Sequence, residues 1–189
     1  MALLRARAWL GAPLLGVLGL AAAWLHHRTT VYDHHITQAA ARNKLDFSLV
    51  KALIYEESWF RPNIRGGSGE LGLMQVSIAA ARDFAERKGF PPPTEQRVLE
   101  PDLNIEIGCW YLRQSLDHYK DSPAPLVFGL VRYNAGDARA DQWLRSARAR
   151  PIPPGVTVEE HCLSLVDFPK TRAYARRILK RYRGGRIWF

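Results

Sequence analysis

From about residue 30 onward the apolar positions recur mainly at three- and four-residue intervals, with few alternating stretches, so the chain predicts a mainly α-helical domain. A first helix is expected over Val31–Asn43. Asp46 then stands as the N-cap of a second, apolar at Phe47, Val50, Leu53 and Ile54 and ending near Trp59, ahead of Pro62. The glycine-rich stretch Arg65–Glu70 reads as an irregular turn or small hairpin. Helical spacing returns over Ser77–Lys88, with Gly89 as its stop, and Pro91–Pro93 form a loop. Further helices are expected over Pro101–Tyr119, Pro125–Tyr133, Asp137–Ala147 and Pro169–Tyr182, with Pro151–Gly155 as a proline-rich break.

The first residues follow a different pattern. Arg5 and Arg7 precede an uncharged run from Ala8 to Leu25, after which His26, His27 and Arg28 restore polarity. The run has no polar face, so it reads as a membrane-targeting segment over residues 1–29 rather than as a buried helix. Its length is at the short end for a spanning helix, and Ala21–Ala23 offer a signal peptidase small residues, so anchor and cleaved signal both stay open. Trp24 at the far end and the two arginines at the near end favour the anchor. In either case the remaining chain, residues 30–189, forms one domain facing outward, long enough to bury its own core.

Charge and cysteine content narrow the picture further. The formal net charge is +9, and the stretch from Lys170 to the C-terminus holds eight Lys/Arg and no acid, so the basicity belongs to the last helix. Arg172, Arg176, Arg177, Lys180, Arg181 and Arg183 form either a solvated helix face or a contact for anionic lipid or wall polymer. Nucleic acid fits poorly, because no recognition motif accompanies the charge and the leader directs the domain away from the cytoplasm. Cys109 and Cys162 are too few for a disulfide-built scaffold; a bridge between them and two separate buried thiols both remain open. No Cys-x-x-Cys or His/Cys cluster calls for a metal.

Candidate chemistry begins at Glu56 and Glu57. Adjacent helical residues point about 100° apart, so only one of them faces a given cleft. Glu57 follows Leu53 by four residues and Ile54 by three, shares their inward face, and is expected to be partly desolvated; Glu56 is then the solvated one. Desolvation raises a carboxyl pKa, and an acid kept protonated near neutrality can donate to a glycosidic oxygen. Trp59 and Phe60 are candidates for the apolar wall around it.

The segment from Ala52 through Glu57-Ser58 to Pro62 resembles the catalytic helix of the soluble-lytic-transglycosylase-like domains. The resemblance continues in order through Gly69 and Gly72-Leu73-Met74-Gln75, then Asn104, Gly108, Tyr111 and Leu112, then Tyr133-Asn134-Ala135-Gly136, and finally Thr171-Arg172 with Tyr174. It covers about Asp46 to Tyr182, and its strength lies in the ordered set rather than in any one motif. It implies a lysozyme-like fold acting on the glycan strands of bacterial peptidoglycan in the cell envelope, periplasmic or at the outer face of the inner membrane. Glu57 is the implied catalyst, and Ser58, Met74, Gln75, Tyr133, Asn134 and Tyr174 are the implied substrate-facing residues. Beside that stands a physical reading: the Gln75 amide both donates and accepts, which suits an N-acetylated sugar, and Tyr133 offers a stacking ring with a hydroxyl. Asn104 and Gly108 read as structural.

Glycosidases ordinarily flank the bond with two carboxylates. The resemblance implies one instead. Glu57 protonates the leaving oxygen, the substrate's N-acetyl group stabilises the charged sugar, and Glu57 then deprotonates the C6 hydroxyl to give a 1,6-anhydro muramyl end without metal or cofactor. Three positions depart from the family pattern. Glu70 replaces a small residue and is either a second carboxylate favouring hydrolysis or a solvated turn residue. Lys170 replaces an acid before Thr171, and Val76-Ser77-Ile78 lack the usual proline, leaving Ser77 to cap the next helix. A hydrolytic muramidase on the same fold and a non-catalytic glycan-binding protein of the envelope are the competing expectations.

Overall fold

A computed structural model describes residues 16, 17 and 19–184. It divides into an N-terminal unit that ends at His34 and a compact unit that begins at His35 and carries everything discussed below. Residues 19–30 are helical. Much of the apolar leader (residues 8–15 and 18) lies outside the described residues, and among those described no helix is long and apolar enough to cross a membrane.

The helices are α1 (Asp33–Arg42), α2 (Phe47–Ser58), α3 (Ile78–Lys88), α4 (Glu95–Leu99), α5 (Pro101–His118), α6 (Pro125–Ala135), α7 (Asp137–Ala149), α8 (Val158–Ser164) and α9 (Pro169–Arg183). The seven expected helices beyond residue 30 are present, with ends shifted by a few residues, and no strand occurs among the described residues. Helices α4 and α8 escaped the periodicity because each is under two turns long and shows no apolar repeat. Each starts at a threonine, Thr94 or Thr157, whose hydroxyl accepts a backbone N–H three residues on. The segment from Ile64 to Val76 is an irregular hairpin joined only at isolated bridges, Arg65 to Leu71 and Leu71 to Val76.

Helix α2 is the central element. Leu49, Val50, Ala52, Leu53 and Ile54 are all buried, α9 packs along it, and α9 also packs on α6, which in turn lies against α5 and α7. At its end Trp59 and Phe60 both take left-handed backbone conformations, φ 54° and 58°. Such a conformation costs about 1–2 kcal/mol for each non-glycine residue. Burial of the Phe60 ring and donation from the Arg61 guanidinium to the Ser58 carbonyl (3.0 Å) hold the turn in place.

Several expectations change at this level. Asp46 occupies the N-cap position of α2, but its carboxylate accepts from the Tyr182 hydroxyl rather than from the helix, so α2 and α9 are joined at that end instead. Ser77 does cap α3, accepting from Ala80 N at 3.1 Å. Cys109 and Cys162 are separate buried thiols, and burial pushes both up in pKa. The basic face of α9 is largely engaged within the fold: Arg176 pairs with Glu160, Arg177 and Arg181 with Glu56, and Arg183 with Glu159, while Arg172 donates to the Ser164 carbonyl. Those pairings leave far less charge for an anionic surface than the sequence pattern suggests.

Candidate active site

Glu57 sits one turn beyond the fully buried Leu53, on the side of α2 that meets α9. The Tyr174 hydroxyl, projecting from α9, donates to its Oε1 at 2.5 Å. Burial is the dominant influence on this carboxyl and pushes it up to about 7; the Tyr174 hydrogen bond pulls it down, and the negative charges of Glu56 and Glu70 push it further up. The group therefore holds its proton up to neutrality and can still release it. Tyr133 and Tyr174 lie near Glu57, and burial beside that carboxylate holds both phenols far above their ordinary value, so they remain hydrogen-bond donors.

The turn at the end of the irregular hairpin is built on an amide. Asn104, fully buried on α5, accepts from Met74 N (2.8 Å) and donates to the carbonyls of Leu71 and Val98 (2.8 Å each). Gly72, at φ 73°, passes so close to this amide that a Cβ would stand 2.5 Å from Asn104 Nδ2. Gly108 is required for the same kind of reason, since a Cβ there would meet Met74 Sδ at 2.5 Å. Gln75 closes the turn at φ 48°, and its Nε2 donates to the carbonyls of Gly72 (2.9 Å) and Ile64 (3.4 Å). Strain at a non-glycine residue survives only where the surroundings over-determine it, and here the outcome is a Gln75 side chain aimed at a cavity.

That cavity, of about 130 Å³, is lined by Glu70, Gln75, Ser77, Tyr111 and Tyr133. The Tyr133 hydroxyl donates to the Met74 carbonyl at 2.8 Å, and its ring meets Tyr111 edge-on at 5.4 Å between centroids. A second hollow of about 440 Å³ is lined by Asn134, Lys170, Tyr174 and Arg177. Asn134 is exposed there, its Oδ1 accepting from the Thr171 hydroxyl at 2.7 Å. Tyr133 walls one hollow and Tyr174 the other, and Glu57 interacts with both.

The structure thus brings Glu57, Gln75, Tyr133, Asn134, Tyr174 and Glu70 to one region and removes two expected members. Ser58 is 1% exposed and its hydroxyl turns back to the Ile54 carbonyl, so it braces the end of α2 beneath the cleft. The Met74 side chain is fully buried against Gly108, and only its main chain serves the site. Trp59 and Phe60 pack edge-on against Tyr55, and Tyr133 and Tyr174 are aromatic groups that interact with the carboxyl. Glu56 is not solvated: it accepts from Arg177 Nε (2.7 Å) and Arg181 Nη1 (2.9 Å), with Arg181 also stacked over Tyr55 at 4.0 Å. The four-residue spacing of Arg177 and Arg181 on one helix face is the only trace of this clamp in the sequence.

The Tyr174 contact makes a testable statement about pH. A carboxyl can give up a proton only while protonated, so a reaction that draws on Glu57 as its acid should slow as pH rises through about 7. Since the phenol stabilises the ionised carboxylate, Tyr174→Phe should move this alkaline limb upward by roughly one unit. Titration of the Glu57 carboxyl from pH 5 to 9 by NMR in both proteins would check the cause; an unmoved midpoint would separate Tyr174 from the titration.

Residues 34–153 match the family described as the Transglycosylase SLT domain, and the chain belongs to that family. Over 149 residues it is 27% identical to the soluble lytic murein transglycosylase of Salmonella typhimurium, covering 78% of this chain and 22% of that protein. It is also 27% identical over 146 residues to the membrane-bound lytic murein transglycosylase F of Pseudomonas fluorescens strain Pf-5, covering 73% of this chain and 28% of the relative. The chain therefore spans about a quarter of the length of these relatives. In structure it is similar to an inactive mutant of a Pseudomonas aeruginosa lytic transglycosylase, with a TM-score of 0.68 and 25% identity over 81% of this chain and 23% of that one. The 70 kDa soluble lytic transglycosylase of Escherichia coli shares the fold, with a TM-score of 0.70 and 23% identity over 82% of this chain and 24% of that one.

Proposed function

We propose that this chain is a peptidoglycan lytic transglycosylase that cleaves the β-1,4 bond between N-acetylmuramic acid and N-acetylglucosamine. The observation that carries this reading is Glu57, a carboxyl held protonated near neutrality by burial and placed among Tyr133, Tyr174 and the two cavities they wall. A glycan strand laid across both hollows sets the scissile bond over that acid. Glu57 donates its proton to the departing oxygen while the substrate's acetamido oxygen closes on the anomeric carbon. The resulting carboxylate then takes the proton of the C6 hydroxyl, which displaces the acetamido group and leaves a 1,6-anhydro end. Asn134 and the Gln75 Oε1 face the sugars, and Tyr133 and Tyr174 wall the site and donate hydrogen bonds. The domain works outside the cytoplasmic membrane, where this polymer lies, and the uncharged Ala8–Leu25 run of the sequence is its targeting segment.

Mass spectrometry of purified peptidoglycan after digestion by the chain tests the reading. Soluble fragments ending in 1,6-anhydro-N-acetylmuramic acid are the expected result. A folded chain that binds the wall but releases nothing would point to a glycan-binding role instead.

A further inference from the structure

Glu70 is a carboxylate that the transglycosylase chemistry does not use. It is half-buried rather than solvated, it lines the cavity shared with Gln75 and Tyr133, and its charge is felt by Glu57. The nearest basic side chain in sequence, Arg65, pairs with Glu95 at 2.7 Å, and the Glu70 side chain accepts from Ser68 N at 3.1 Å. The Glu70 charge adds to the negative field that helps keep Glu57 protonated.

Its position beside Gln75 is specific. Gly66 has no side chain, and the point its Cβ would occupy lies 2.4 Å from Glu70 Oε2 and 2.6 Å from Gln75 Oε1. The two acceptor oxygens thus lie within about 5 Å of each other. The Gln75 orientation is fixed, since its Nε2 is directed at two backbone carbonyls, so the amide presents only its oxygen here. Paired acceptors suit a molecule with two protons to donate, and the cavity of about 130 Å³ far exceeds the ~10–15 Å³ that one water needs. A water giving one proton to each oxygen keeps its lone pairs free to attack.

Building on the transglycosylase reading, we propose that Glu70 and Gln75 hold a nucleophilic water, with Glu70 as its general base, and that this chain hydrolyses a share of the bonds it cleaves. The first step is common to both routes: Glu57 gives its proton to the glycosidic oxygen, the C1–O bond breaks, and the acetamido oxygen bonds to C1. In the hydrolytic route the water oxygen bonds to C1 and the acetamido oxygen leaves C1 with its electron pair. Glu70 takes the water's proton, and exchange with solvent reprotonates Glu57 and frees Glu70. One water is consumed and a reducing end replaces the anhydro ring.

Digestion of peptidoglycan by the full chain in ¹⁸O-labelled water separates the routes, because a reducing end formed by hydrolysis carries the label and an anhydro end cannot. The wild type is expected to release both kinds of end. Glu70→Gln, which keeps the size of the side chain but removes the base, should lower the labelled fraction at least about tenfold while anhydro ends persist. Glu70→Ala should do the same, giving a second variant if either one folds poorly. Anhydro ends alone from the wild type would overturn the water-holding role and leave the transglycosylase reading standing. A changed KM with an unchanged product ratio in Glu70→Gln would also overturn it, marking Glu70 as a sugar contact. No product of either kind from the wild type would remove both readings together.

Discussion

Glu57→Gln is expected to lower the release of anhydro-ended fragments by roughly 10²–10⁴-fold, the range associated with losing a positioned proton donor. The substitution changes little else. Glutamine has the same shape, and its Oε1 can still accept from the Tyr174 hydroxyl that now reaches Glu57 at 2.5 Å. What is lost is a proton that can move to the glycosidic oxygen and a carboxylate that can later take one from the C6 hydroxyl. Fragment release from purified peptidoglycan, quantified by mass spectrometry beside the wild type, measures the effect. A variant with near-normal release would move the catalytic assignment elsewhere. The same variant carries a stability signature. A carboxyl whose value is raised from 4.5 to about 7 on folding favours the folded state only when protonated, so its cost appears as pH rises through that window. Glu57→Gln should therefore match the wild type in thermal stability near pH 4.5 and exceed it at pH 8, by about 1–3 kcal/mol after allowance for partial exposure. Such a gain from removing the proposed acid would be the usual exchange between activity and stability.

Asn104→Ala should produce the largest loss of stability among the residues around the site. The amide serves Met74 N, the Leu71 carbonyl and the Val98 carbonyl from a fully buried position. Truncation takes the amide away from Met74 N and the Val98 carbonyl, each loss costing about 1–3 kcal/mol, while the Leu71 carbonyl keeps Val76 N at 2.9 Å; the cavity left by the side chain adds to the cost. A total near 3–5 kcal/mol corresponds to a fall in Tm of roughly 10 °C or more for a domain of this size. Thermal unfolding followed by circular dichroism would measure it. Because the same turn aims Gln75 and supplies the carbonyl that Tyr133 donates to, activity below the melting transition should drop as well. A variant with unchanged Tm would show that the turn is held by its glycines alone.

How much of this was legible beforehand depends on the range of the interaction. The inward face of Glu57 follows from its distance to Leu53 and Ile54 along one helix, and the turn or small hairpin over Arg65–Glu70 follows from its glycines; both are local and both hold. Ser77 as a cap is equally local. Ser58 and Met74 stand next to the functional positions in sequence, yet each is rotated away from the cleft, one bonding back into its helix and the other filling the space left by Gly108. Adjacency in a motif carries no information about that rotation.

Taken by itself, the sequence determined the helical class, the bounds of the longer helices, the carboxyl that faces inward and the family to which the ordered motifs belong, because periodicity, capping and glycine placement act within a few residues. Only the tertiary structure decided which charges meet. Glu56 closes on Arg177 and Arg181 more than 120 residues away, which turns an apparent basic surface into a clamp between α2 and α9. Tyr174 reaches Glu57 across 117 residues, and Asn104 reaches the Gly72 turn across about 30. Glu70 became a cavity-lining carboxylate only once the hairpin folded over Gly66. Pairings of this kind depend on packing between helices, and a pair of side chains separated by a hundred residues leaves no periodic trace along the chain.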